Sequence, residues 1–216
     1  MKTQFTSVLL ILALFTTGFT AQAQGIIGIT TSASATTAAY DGIIAKLQAQ
    51  NLMDFGWTFH AIGAGQPTGL FSIGLYPNQA ALDARLEKVR PVFQEAGNPA
   101  PMPHAYEVYR TFTAPFPAAK PAGGILVFFD VKGMTTAQYD QAVSGLSKAL
   151  GDGAPAGQLF HVAFKGEDGI KVIDIWESAE RFQAFGGTLM PILQGAGVTP
   201  PPPAVYSLYN YVIPGR

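Results

Sequence analysis

Apolar residues along this chain recur first at every second position and then at helical spacing, and the whole order returns after about a hundred residues. The stretch 157–197 shows it most clearly and 56–97 repeats it. His60 answers His161, Tyr76 answers Trp176, and PVFQEAG at 91–97 answers PILQGAG at 191–197. Two apolar runs, GIIGITT at 25–31 and GILVFFDV at 124–131, read as first strands. Each leads into a helix opened by Thr36-Thr-Ala-Ala-Tyr-Asp41 or Thr135-Thr-Ala-Gln-Tyr-Asp140, the latter with a capping box from Thr135 and Gln138. Tyr139, Ala142, Val143 and Leu146 then mark one helical stripe, and Tyr40, Ile43, Ile44 and Leu47 its counterpart.

Second and third strands follow at 57–62 and 70–76, and at 159–164 and 170–176, the later pair joined by a turn at Gly166-Glu-Asp-Gly169. Asn78 and Ser178 are N-caps for second helices, in which Pro91 and Pro191 are expected to kink or end the regular run. Last strands fall at 105–112 and 205–212, after proline-rich loops. Each copy therefore reads β-α-β-β-α-β, the ferredoxin-like order. The expected fold class is α+β, with two tandem ferredoxin-like repeats packed sheet to sheet as an intramolecular α/β barrel. The divisions are a leader at 1–23, a first repeat at 24–113, a linker at 114–123 (APFPAAKPAG) and a second repeat at 124–216.

Strand alternation separates two faces in each sheet. Phe160, Val162, Phe164, Ile173 and Ile175 form a wholly apolar face, matched by Phe59, Ala61, Phe71, Ile73 and Leu75, and this face is expected under the helices. The other carries His161, Asp174 and Trp176, matched by His60, Gly74 and Tyr76, and is expected to meet its partner sheet around a cavity.

Composition narrows the setting. Residues 1–23 carry Lys2, an apolar core at 8–15 and Ala21-Gln-Ala23, the features of a cleaved signal peptide, so a periplasmic or secreted product is expected, with no membrane attachment after cleavage. The absence of cysteine excludes a disulfide framework and thiolate chemistry. A formal net charge of −1 without a basic run makes nucleic acid an unsuitable partner. Three histidines without ligand spacing give no metal site, and no cofactor motif is present.

The VIDIWES segment at 172–178, with its strand-two His161, resembles the dimeric α/β-barrel superfamily that includes antibiotic biosynthesis monooxygenase-like proteins. In that superfamily two chains usually form the barrel. The resemblance implies that one chain here supplies both halves, as a monomer with pseudo-dimeric repeats. The first copy departs from the motif, with Gly74, Tyr76 and Pro77 in place of Asp174, Trp176 and Glu177. The superfamily spans cofactor-free monooxygenases, haem-degrading enzymes, isomerases and proteins without known activity.

If the Gly166–Gly169 hairpin is regular, His161 lies directly across from Asp174. A carboxylate on one ring nitrogen fixes the tautomer and leaves the other free for a substrate proton, so His161 and Asp174 are the candidate catalytic residues. The same geometry also suits a pair that only satisfies itself. His60 faces Gly74 without a carboxylate and is expected to be lowered in pKa by desolvation. His60, Tyr76, Trp176 and Asn210 are candidate ligand-binding residues for a small apolar or aromatic molecule. Three functions remain open at this point: a cofactor-independent monooxygenase-like or isomerase-like enzyme, a non-catalytic binder, and a purely structural barrel.

Overall fold

The structure, a computed structural model, describes residues 25–65, 69–117, 119–151 and 153–215. The expected signal peptide lies outside the described residues. The first repeat runs β1 (Ile26–Ser32), α1 (Thr37–Ala49), β2 (Phe59–Ala64), β3 (Leu70–Tyr76), α2 (Gln79–Glu95) and β4 (His104–Thr113). The second runs β5 (Ile125–Lys132), α3 (Thr136–Leu150), β6 (Gln158–Lys165), β7 (Gly169–Trp176), α4 (Ala179–Gly195) and β8 (Ala204–Val212). Helix starts follow the expected chemistry: Asn78 and Ser178 accept from the N–H groups of Ala81 and Arg181, and Thr135 with Gln138 forms a complete capping box. Pro91 and Pro191 do not end their helices, which run on through them to Glu95 and Gly195.

All eight strands close into one antiparallel barrel in the order β1-β3-β2-β8-β5-β7-β6-β4. The repeats meet edge to edge, β2 on β8 and β4 on β6, so the outer strands of each four-stranded sheet are paired by the other repeat. Both seams contain a register shift, between Ile62 and Gly63 and between Val108 and Arg110. Such bulges bend a strand and help a ring to close.

The facing of the sheets is the reverse of the sequence expectation. The wholly apolar faces fill the barrel: Phe59 stacks on Phe160 at 4.4 Å and Phe71 on Tyr206 at 4.9 Å, with Ile73, Val162, Ile173 and Ile175 fully buried around them. The linker contributes Phe116, which packs on Phe59 and Tyr211 at 5.4 and 4.6 Å. The mixed faces lie beneath the helices. Aliphatic and aromatic side chains dominate the barrel interior, whereas the helix stripes bring Tyr40, Arg85 and Tyr139 to serve the polar groups of the mixed faces.

Candidate functional site

Each repeat places a histidine of its second strand beneath its first helix, with a tyrosine hydroxyl on the imidazole. Tyr139 Oη lies 2.7 Å from His161 Nε2, and Tyr40 Oη lies 3.3 Å from His60 Nε2. From that shared plan the two sites diverge completely.

In the second repeat the hairpin register is the expected one, with His161 opposite Asp174, and the side chains meet at 2.7 Å from Nδ1 to Oδ1. Gln158 donates a second hydrogen bond to the same carboxylate oxygen at 3.0 Å. Asp174 thus holds one imidazole nitrogen while Tyr139 occupies the other, and burial raises the Tyr139 pKa. Phe129, Val172, Phe185 and Leu189 fill the rest of the space, leaving a pocket of only about 90 Å³. Trp176, expected to line a cavity, is fully buried against Phe182 and Phe185 and lines neither pocket.

In the first repeat a cavity of about 530 Å³ lies between the sheet and α1 and α2. Strand register explains the difference. Gly28, Thr30 and Ser32 occupy the places of Val127, Phe129 and Val131, and Ser72 and Gly74 those of Val172 and Asp174. All five positions carry smaller side chains, and at three of them, Thr30, Ser32 and Ser72, the lost volume stays open where the other copy is packed. Thr30 and Ser72 supply a polar floor, while Ile43, Leu47, Val89 and Phe93 supply an apolar wall.

Gly74 itself does not open the cavity. A Cβ there would stand 2.8 Å from the Tyr76 hydroxyl and 3.0 Å from the ring, because the Tyr76 ring lies back across Gly74 and Gly28. The glycine makes room for a tyrosine, and Tyr76, 8% exposed, becomes part of the cavity floor.

One end of the cavity is a stack of side chains. The Arg85 guanidinium lies 3.3 Å from the Trp57 ring centroid, and His60 stacks on Trp57 at 4.4 Å. Burial, and then the neighbouring Arg85 charge, lower the His60 pKa to about 3. His60 is therefore neutral at neutral pH. Burial likewise raises Tyr40 and Tyr76. Asn210, a candidate ligand contact, donates to the Tyr40 hydroxyl at 3.4 Å and stands behind it, not among the residues lining the cavity.

The last strands cross between repeats. Tyr209 of β8 donates to Asp41 of α1 at 2.6 Å, and Tyr109 of β4 to Asp140 of α3 at 2.7 Å. Each site is thus finished by a residue from the other repeat.

Sequence reasoning passed over Tyr40, Trp57 and Arg85. Arg85 had a readable signal: it is the charged member of the apolar stripe Leu82, Val89 and Val92 on α2. Tyr40 was visible as a stripe residue but not as a histidine partner. Among the described residues no cluster of three metal-capable side chains occurs, and no helix is long and apolar enough to cross a membrane.

This barrel, with helices covering its outer face, has counterparts among solved structures. A protein from Lactobacillus acidophilus NCFM proposed to be a monooxygenase superposes with a TM-score of 0.62 over 89% of this chain and 97% of its own, at 11% identity. The fold is that of the monooxygenase-like α/β barrels. A second such protein, from Fusobacterium nucleatum subsp. nucleatum, gives 0.60 over 86% and 92% at 8% identity, and an anthrone oxidase-like protein gives 0.50 over 91% and 97% at 16%. The sequence matches no protein-family model and no curated protein sequence. At these identities the likeness establishes architecture, and chemistry has to be argued from the site.

Proposed function

We propose that this chain is an exported, single-chain binding protein for a small planar organic molecule, built on the monooxygenase-like barrel, with the ligand between the first repeat's sheet and helices. One observation carries the reading: the same unit, present twice, leaves about 530 Å³ in one copy and about 90 Å³ in the other. The larger value falls in the usual range for small-molecule sites. The wall is apolar, the floor carries hydroxyls, and His60 and Arg85 converge at one end, the mixture expected where a ligand is both enclosed and oriented.

Binding is favoured over catalysis at this site by the state of His60. A general base works best with a pKa near the working pH, and a histidine lowered to about 3 is a poor proton acceptor. A second reading, acid–base catalysis at His161 with Asp174 orienting it, is supported by the 2.7 Å contact of Asp174 on Nδ1, but the Tyr139 hydroxyl occupies Nε2, the nitrogen a substrate would need. The small pocket beside the pair weighs against it. Turnover of quinol-like substrates by the wild type, lost in His161→Ala, would establish catalysis.

The binding reading is tested by carrying second-repeat residues into the first. Thr30→Phe with Ser72→Val reproduces Phe129 and Val172 on the cavity floor. Planar aromatic compounds should quench Trp57 fluorescence in the wild type and not in this variant. Equal quenching in both would place the ligand elsewhere.

A further inference from the structure

The repeats bury opposite charges at their sheet–helix interfaces and treat them differently. In the second, Asp174 is met by His161 and Gln158. In the first, Arg85 occupies the α2 position that corresponds to Phe185 of α4, and Gly74 takes the register position that Asp174 holds in the second. Arg85 is 2% exposed, and among the described residues no carboxylate pairs with it. Its contacts are neutral. Nη1 donates to the carbonyls of Leu52 and Phe55, the latter at 2.7 Å, and Trp57 covers one face. Nε and Nη2 have no acceptor among the described residues, and Arg85 lines the cavity. Burial lowers its pKa only to about 10, so it remains a cation at neutral pH.

A buried charge without a counter-charge is strongly unfavourable, and protein interiors pair or solvate it. We infer that the counter-charge belongs to the ligand: the first-repeat cavity takes a planar organic monocarboxylate, its carboxylate on the Nε and Nη2 edge of Arg85 and its apolar body beneath α1 and α2. This inference rests on the binding reading above. A guanidinium edge offers two parallel N–H groups, the arrangement that suits the two oxygens of a carboxylate. A phosphate dianion would bring a second charge, and no second cation among the described residues lines the cavity to meet it. His60, held neutral, contributes none. Ile43, Leu47 and Val89 then cover the body of the ligand with apolar surface.

The experiment compares two ligands of nearly equal shape, 2-naphthoate and 2-naphthamide, by calorimetry on the whole protein. The wild type should bind the carboxylate at least about tenfold more tightly, as expected for charge-assisted hydrogen bonds in an enclosed site. Arg85→Gln should remove that preference by weakening the carboxylate far more than the amide, and Arg85→Lys should keep part of it. Equal affinities in the wild type, or a preference that survives Arg85→Gln, would overturn the anion assignment. The wild-type comparison and Arg85→Lys decide the matter even if Arg85→Gln fails to fold. The cavity reading fails separately: wild type that binds neither ligand, or binding of both that survives Thr30→Phe with Ser72→Val, would overturn the site itself.

Discussion

Replacing His60 by Gln removes a buried group whose protonation opposes folding, and its effect on stability has a definite sign. In the folded chain burial and the Arg85 charge hold His60 at a pKa of about 3, against 6.5 for an unperturbed histidine. Between those values the unfolded chain binds a proton that the folded chain does not, so stability rises with pH there. Above about 6.5 both states carry neutral imidazole and the group adds no pH dependence. As pH falls through that window the loss accumulates at about 1.4 kcal/mol per pH unit, reaching about 5 kcal/mol by pH 3. About 3 kcal/mol of it lies above pH 4. Urea unfolding of the wild type and His60→Gln from pH 7.5 to 4 measures it: carboxylates titrate in both, so their difference isolates His60. The wild type should lose about 3 kcal/mol more than the variant across the range. Parallel curves would refute the reasoning, since they would mean that His60 accepts a proton freely inside the fold.

Gly74→Ala places a Cβ 2.8 Å from the Tyr76 hydroxyl and should cost about 1–3 kcal/mol in thermal or urea unfolding, a loss that Tyr76→Phe in the same chain should relieve in part. Asp174→Ala leaves buried donors of His161 and Gln158 without their acceptor and should cost about 3 kcal/mol, while binding in the first-repeat cavity persists. Residues 25–113 and 123–216 expressed apart should each self-associate, because each exposes two strand edges that the other pairs, and mixing them should give a one-to-one complex by size-exclusion chromatography. A monomeric, cooperatively folded half would contradict the shared barrel.

The duplication and the order of elements were legible because hydrophobic period and capping residues are local signals. The His161 and Asp174 register was legible too, since a tight turn at Gly166–Gly169 fixes which residues face each other. Which face of the sheet looks inward was not. Both faces are largely apolar, and the choice depends on edge pairing between repeats, β2 with β8 and β4 with β6, that no local pattern encodes. The asymmetry of the sites was half visible. Gly74 in place of Asp174 marked the first repeat as different, but its space goes to the Tyr76 ring, a back-folding that requires the three-dimensional path of the chain. Volume came instead from Thr30, Ser32 and Ser72, polar residues whose counterparts Phe129, Val131 and Val172 are large or branched, a contrast readable only once the repeats are aligned on the correct face.

The two histidines report directly on which repeat holds the ligand. With ¹⁵N-labelled histidine, addition of 2-naphthoate or 2-naphthamide to the whole protein should move the ring resonances of His60, which lines the larger cavity, and leave those of His161 in place between Asp174 and Tyr139. Shifts at His161 with His60 unmoved would contradict the account and return the site to the second repeat.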